Sequence, residues 1–203
     1  FAASAWAAAA AAMPMQLLTW LVVALCFHVS EFALAAIYMR DELGWHSWLL
    51  SRQYCIAMGA GIAEFLLEER FLPGWKSAPN AKWAYTAGLA MIVLGELIRK
   101  TGMVTAGSSF THQVKRQKRE EHVLVTCGIY RFMRHPGYAG WFMWAVGTQV
   151  MLANPVCALT FTYVVWSFFR TRIEHEEWHL VRFFGQAYLQ YKQRTPTLIP
   201  FIP

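Results

Sequence analysis

Five apolar runs, separated by short polar segments, constrain this chain more than any other feature. They lie at residues 15–39, 48–67, 83–98, 137–153 and 156–169. The first is long enough for the ~20 residues that a membrane-spanning helix needs. A helix satisfies its own backbone hydrogen bonds in lipid, so the pattern predicts an all-α, polytopic integral membrane helical bundle. The last two runs are joined by the turn signal Asn154-Pro155, which predicts a helical hairpin.

Charged residues are few and unevenly placed. The chain is 57% hydrophobic and 15% charged, unlike a soluble domain. Of its 18 Lys and Arg residues, 13 lie at or after Arg99, which predicts that this half meets the cytosol. We therefore expect a membrane-spanning base at residues 1–100 and a catalytic half at 101–203. A basic loop beside anionic lipid accounts for much of the net charge of +6, so it does not indicate nucleic-acid binding.

Three acidic residues fall inside the apolar runs. Glu31, Glu64 and Glu96 must each face protein, water or a partner, because a lone carboxylate in lipid is costly. Polar contacts between helices are the simplest explanation for them, and a functional role is the alternative.

The segment Arg134-His135-Pro136-Gly137-Tyr138 predicts a site for a small polar ligand. Pro136 favours the first position of a helix and keeps His135 out of the helical conformation. We therefore expect a helix to begin at Pro136 or Gly137, with its first N–H groups free to bind an acceptor. A plain helix cap at a membrane surface is the alternative.

The chain ends with a charged, amphipathic stretch. Residues 170–191 predict a helix that Gly185 interrupts or caps, and the proline-rich residues 195–201 predict a stiff tail. We expect this C-terminal amphipathic helix to close a cytosol-facing cofactor pocket.

His175-Glu176-Glu177-Trp178-His179 matches the H-E-x-x-H pattern of zinc proteases. Such a site needs a third protein ligand, and no Asp, Glu, His or Cys follows His179. His112 or Glu121 could supply one from upstream. We expect no metal, and keep a membrane zinc protease using His175 and His179 as an alternative.

Residues 105–114, 122–142 and 154–196 resemble the isoprenylcysteine carboxyl methyltransferase family of the endoplasmic reticulum membrane. The resemblance rests on the ordered set RHPxYxGWF, RxRxxxEExxL and FFGxxYxxYK. It implies methyl transfer from S-adenosylmethionine to the C-terminal carboxylate of a farnesylated or geranylgeranylated cysteine in CaaX-type proteins. The enzyme would be multi-pass, with its active site facing the cytosol. Because phospholipid N-methyltransferases share the first element, such an enzyme is a further alternative.

The resemblance also implies roles for particular residues. Arg172 would orient the substrate carboxylate and so be both the catalytic and the substrate-binding residue. Lys115 replaces a glutamine common in the family, and Leu198 replaces a glycine. For Lys115 a plain surface charge is the alternative to a contact with the cofactor. The cofactor-binding residues would be Lys115, His122, Val123, Leu124, Val125, Tyr130, His135, Pro136, Gly137, Tyr138 and Glu176.

Overall fold

The computed structural model describes residues 14–72, 74–115, 117 and 123–203. Within these ranges the regular structure is helical throughout, which confirms the all-α prediction. The α-helices are α1 (Met15–Tyr38), α2 (Arg52–Phe71), α3 (Pro79–Ala106), α4 (Pro136–Met151), α5 (Pro155–Phe184) and α6 (Gln186–Arg194). Short 3₁₀ turns lie at Arg40–Glu42, Trp45–Trp48, Gly107–Ser109 and Gly128–Arg131.

The first five helices alternate in direction through one bundle. We call the end where α1, α3 and α5 finish the site end, and the end where they begin the opposite end. Two helices, Met15–Tyr38 and Pro79–Ser109, are long and apolar enough to cross a membrane. Large apolar side chains on the outside, such as Leu25 and Leu159, are 64% and 75% exposed. Such a surface suits lipid better than water.

Glycines let α3 and α4 pack closely as an antiparallel pair. A Cβ atom at Gly95 would lie 2.6 Å from the carbonyl oxygen of Gly140, and one at Gly88 would lie 2.2 Å from the nitrogen of Met151. Only glycine fits at such a distance, and small residues are the usual means of helix packing in membranes. The start of α4 is thereby held firmly against α3.

The hairpin between α4 and α5 is fixed by α2. The Glu64 carboxylate accepts hydrogen bonds from the N–H groups of Val156 (2.8 Å) and Cys157 (2.7 Å). The first N–H groups of a helix have no partner within the helix, so Glu64 caps α5. The Asn154 amide donates to the Gly61 carbonyl at 2.8 Å. Glu64 is thus a contact between helices.

α3 is longer than the sequence predicted. The third apolar run ends at residue 98, but the helix continues to Ala106. Arg99 is only 5% exposed, and its guanidinium donates to both carboxylate oxygens of Glu31 at 2.7 Å. Pairing lets the charge stay inside the bundle. A basic residue that resembles a membrane boundary is here a link between α1 and α3.

α5 is a single helix where two were expected. The predicted hairpin helix at 156–169 and the predicted amphipathic helix at 170–191 are continuous as far as Phe184. The composition changes at Arg170, but no glycine or proline interrupts the chain between Val156 and Phe184. Gly185, with φ of +56°, then ends α5 and separates it from α6, as the sequence predicted.

Candidate functional site

A cavity lies at the site end, beside the first turn of α4. Nine residues predicted to contact a cofactor line it: Val123, Leu124, Val125, Tyr130, His135, Pro136, Gly137, Tyr138 and Glu176. Lys115 lines an adjoining cavity with Glu176 and pairs with the Glu42 carboxylate. His122 lies outside the described residues. The structure therefore gathers most of the predicted set around one space.

The first turn of α4 differs in one respect from the prediction. The helix begins at Pro136 as expected, but the N–H groups of Tyr138 and Ala139 donate to the His135 carbonyl at 3.1 and 3.0 Å. A tight turn thus satisfies groups that we expected to be free. Among the described residues, only the N–H of Gly137 in this turn has no acceptor. A Cβ at Gly137 would lie 3.0 Å from the Phe110 ring, so an aromatic ring packs against the turn.

Beneath this turn lies a buried ionic network that the sequence did not single out. Arg134 donates to Glu177 Oε1 at 2.9 Å, and Nε2 of His135 lies 3.1 Å from the same oxygen. Lys192 from α6 pairs with the other oxygen at 2.5 Å. Burial alone would raise the pKa of Glu177, but hydrogen bonds from His135 and Lys192, together with the charges of His135 and Arg134, lower it to about 2. This carboxylate is therefore ionised and holds the turn to α5 and α6.

Tyr138 connects the cavity to Arg172. Its hydroxyl donates to the Glu176 carboxylate, and Arg172 Nε donates to the same hydroxyl at 2.9 Å. The Arg172 guanidinium also lies 5.5 Å from the centre of the Tyr138 ring, within cation–π range. Arg172 and Glu176 are one turn apart on α5, so both reach the same phenol. The three side chains form a continuous polar wall.

A second, mostly apolar cavity of about 480 Å³ lies on the other side of this wall. Its lining includes Trp45, Leu49, Leu50, Tyr54, Trp141, Phe168, Phe169 and Arg172. Phe110, Thr111 and Tyr138 line both cavities, so the two spaces adjoin at these residues. A ligand in one cavity would therefore lie next to a ligand in the other.

The C-terminal segment lines the first cavity through its helices. Glu176, Leu180 and Phe184 of α5, with Tyr188 and Tyr191 of α6, form part of the wall. The tail is not part of that wall. The Trp166 indole donates to the Pro200 carbonyl at 2.7 Å, and Ile199 and Ile202 are buried in a core cluster with residues of α4 and α5. The tail thus supports the site from behind.

His175 and His179 stand with ring centroids 4.9 Å apart on α5. In the part of the chain that the structure describes, no three His, Cys, Asp or Glu side chains are grouped so as to hold a metal ion. His112, one upstream candidate ligand, contacts Glu31 instead, and Glu121 lies outside the described residues.

A cavity lined by both polar and apolar side chains adjoins a mostly apolar one inside a bundle of membrane-type helices. This is the arrangement that a membrane-embedded enzyme needs in order to join a polar reactant to an apolar one. The sequence model of the isoprenylcysteine carboxyl methyltransferase family matches residues 88–182. The chain is also similar to a solved structure of the eukaryotic intramembrane Ras methyltransferase, isoprenylcysteine carboxyl methyltransferase. The TM-score is 0.86 and the identity 43%, over 91% of this chain and 66% of the other.

Curated relatives indicate the same family as the sequence model and the solved structure. Protein-S-isoprenylcysteine O-methyltransferase B of Arabidopsis thaliana is 46% identical over 188 residues, which cover 92% of this chain and 94% of the plant protein. The human protein-S-isoprenylcysteine O-methyltransferase is 46% identical over 178 residues, but this chain spans only 62% of its length. The chain belongs to the isoprenylcysteine carboxyl methyltransferase family.

The predicted enzyme class is thereby confirmed. The chain is a membrane methyltransferase that acts on the carboxyl group of prenylated cysteine. Family membership favours this activity over the phospholipid N-methyltransferase and zinc-protease alternatives.

Proposed function

We propose that S-adenosylmethionine is the methyl donor and occupies the first cavity, and that the prenyl group of the acceptor occupies the second. The observation that carries the proposal is that the two cavities adjoin at Tyr138, with Arg172 beside it. Methyl transfer requires donor and acceptor to be in line and in contact, which this arrangement permits.

The residues of the first cavity fit the donor's chemical groups. When bound, S-adenosylmethionine supplies an electrophilic methyl group on a sulfonium. Glu176 can accept hydrogen bonds from its ammonium group, and the faces of Tyr130 and Tyr138 suit the sulfonium charge. The apolar segment 123–125 suits the adenine ring. Burial, together with the charge of Glu176, raises the pKa of Tyr130, so this phenol stays neutral.

The remaining cofactor contacts stay predictions. We propose that His135, Pro136 and Gly137 form the floor of the donor site, and that His122 extends its apolar side. Lys115 would meet the donor's carboxylate after releasing Glu42, or remain a surface charge. We also propose that the second half of α5 and α6 close over the bound donor.

Arg172 is proposed to orient the acceptor. A C-terminal carboxylate has a pKa of about 3.5 and is already ionised at neutral pH, so no general base is needed. The guanidinium remains charged and its planar donors can fix the direction of the attacking oxygen. Two of its nitrogens are held by Tyr138 and the His112 carbonyl, and Nη1 has no acceptor among the described residues. The arginine is therefore pre-positioned before the acceptor arrives.

The second cavity is proposed to hold the farnesyl or geranylgeranyl chain, which would enter sideways from lipid between the helices. Each buried CH₂ group contributes about 0.8 kcal/mol, so the chain supplies much of the binding free energy. We propose an endoplasmic reticulum location, with the site facing the cytosol, where prenylated proteins and anionic lipid are found. Residues 1–100 would form the membrane base and 101–203 the catalytic half, with α3 passing through both. Neither a metal nor a nucleic acid takes part in this proposal.

The test combines binding with turnover. Calorimetric titration of the purified protein with S-adenosylhomocysteine should give one site per chain. With S-adenosylmethionine, N-acetyl-S-farnesylcysteine should be methylated and N-acetylcysteine should not, and chelators should leave the rate unchanged. Methylation of phosphatidylethanolamine instead would contradict the acceptor, and loss of activity to chelators with recovery on adding zinc would contradict the metal-free mechanism.

A further inference from the structure

Glu31 is a fully buried carboxylate in a helix that is otherwise uncharged. Its side chain is 0% exposed, and α1 contains no Lys, Arg, Asp or second Glu. Placing a carboxylate at membrane depth costs several kcal/mol unless it is paired and hydrogen-bonded. The partners of Glu31 therefore indicate what the residue is for.

Glu31 has more partners than a link between two helices needs. Arg99 already satisfies both oxygens through Nε and Nη2, each at 2.7 Å. Nε2 of His112 lies 3.0 Å from Oε2, and Lys100 reaches Oε1. A buried ion pair is weak evidence for stability, because desolvation offsets most of the attraction. The additional partners suggest a second role.

Two of these partners, Arg99 and His112, also contact residues of the candidate site. Arg99 Nη1 donates to the Gly137 carbonyl at 2.8 Å, in the turn that lines the first cavity. The carbonyl of His112 accepts from Arg172 Nη2 at 2.5 Å. One carboxylate is thus connected through Arg99 to the floor of the donor cavity, and through His112 to the arginine proposed to hold the acceptor.

We propose that Glu31 is a positioning residue that fixes the Arg172 guanidinium relative to the first turn of α4. The inference rests on the proposed orienting role of Arg172. Glu31 lies outside residues 88–182, the part matched by the family model, and lines neither cavity. It acts through its partners, because in-line transfer is sensitive to small displacements and a shift of about 1 Å can cost about 10²-fold in rate.

The first test is a double-mutant cycle on kcat. Glu31→Gln should lower kcat by about 10- to 100-fold, with the KM for N-acetyl-S-farnesylcysteine little changed. Combined with Arg172→Lys, the two losses should not add, because Arg172→Lys already removes the guanidinium that Glu31 positions. The matched control is Glu68→Gln, which removes the charge partner of buried Lys76 at the opposite end of the bundle. It should lower thermal stability but leave kcat unchanged.

A second pair of variants tests the His112 connection even if Glu31→Gln does not fold. His112→Ala keeps the backbone carbonyl that Arg172 uses, but loses the side-chain contact with Glu31, and should lower kcat about 10-fold. His112→Gln can still donate to Glu31 and should retain most of the wild-type kcat.

Three results would overturn the inference alone: additive losses in the cycle, an equal loss of kcat in Glu68→Gln, or wild-type kcat in His112→Ala. Wild-type turnover of Arg172→Lys would instead remove the orienting role itself, and with it both the mechanism proposed for Arg172 and the inference.

Discussion

The two ends of the bundle bury charged groups for different purposes. At the opposite end, Lys76 Nζ donates to the Leu152 carbonyl at 2.8 Å and to Asn154 Oδ1 at 2.9 Å, and pairs with Glu68. These groups complete the end of α4, and neither of the two adjoining cavities includes them. At the site end, buried Arg134 and half-buried Glu176 line the first cavity, and half-buried Arg172 lines the second. Both ends therefore contain buried charged groups. Those of the site end lie beside the two cavities, where they can take part in chemistry.

The largest expected effect is a loss of stability caused by a substitution at the opposite end of the bundle. Lys76→Met would remove the cation from a site where it is 5% exposed, leaving Glu68 and the carbonyls at the end of α4 without it. Breaking a buried pair in this way typically costs about 3–5 kcal/mol. Thermal unfolding in detergent should show the loss, whereas kcat of the folded fraction should be unchanged. Lys82→Met, at an exposed position on α3, is the control and should change neither the thermal stability nor kcat.

The next largest effect is a loss of turnover caused by a substitution of Arg172 at the site end. Arg172→Lys keeps the charge but loses the planar guanidinium, so kcat should fall about 10²-fold with little change in thermal stability. Calorimetry should find the affinity for S-adenosylhomocysteine within about threefold of wild type, because Arg172 is not among the residues lining the first cavity. Arg170→Lys is the control, since Arg170 is 58% exposed and pairs only loosely with Glu174. A normal rate for Arg172→Lys would mean that another cation orients the acceptor.

A third substitution asks whether the site end also contributes to stability. Glu177→Gln should cost about 2 kcal/mol at pH 7, because hydrogen bonds between charged groups are lost. The pKa of Glu177 is lowered to about 2 in the fold. Its contribution in the wild type is therefore complete above about pH 4.5, and is lost as the pH falls from there towards about 2.

Stability measured against pH should show this loss in the wild type and a flatter curve in Glu177→Gln. Glu174→Gln, at a position whose side chain is 66% exposed, should keep the wild-type curve. If both variants gave the same curve, the Glu177 network would not be the source of the acid sensitivity.

The smallest expected effect lies in the tail that supports the site end. Leu198 has φ of +58°, a conformation that costs a non-glycine residue about 1–2 kcal/mol. Leu198→Gly should raise the free energy of unfolding by up to about 1 kcal/mol, since the added freedom of the unfolded chain offsets part of the gain. Leu198→Ala removes the exposed side chain without relieving the backbone, and should not stabilise. Equal stabilisation by both would show that the side chain, and not φ, is the cause.

Much of the helix arrangement was predictable, because apolar length and proline positions act locally. α4 begins at Pro136 and Gly185 ends α5, as the sequence indicated. The extension of α3 beyond Arg99 was not predictable in this way. It depends on Glu31, which is 68 residues away in the chain and reaches Arg99 only after the helices pack.

The same distinction holds for the candidate site. Residues within one short motif, such as His135 and Tyr138, were named from sequence, and they line one cavity. The network of Arg134 with Glu177, and the path from Glu31 through His112 to Arg172, join distant segments. The second cavity was not predictable either, since its walls come from the Trp45–Trp48 turn, α2, α4 and α5 together. Only tertiary packing brings these surfaces together.

The continuity of α5 links the reaction to the thickness of the lipid bilayer. A helix of 30 residues is roughly 45 Å long, whereas the hydrocarbon core is about 30 Å thick, so α5 can cross the core without a hinge. Arg172 and Glu176 lie about 26 and 32 Å from its first residue, close to the boundary of the core. A thinner or thicker bilayer changes the tilt of such a helix. Because no hinge interrupts α5, a change in its tilt would also move the Arg172 guanidinium. We therefore expect turnover to depend on the acyl-chain length of the surrounding lipid even when donor affinity does not.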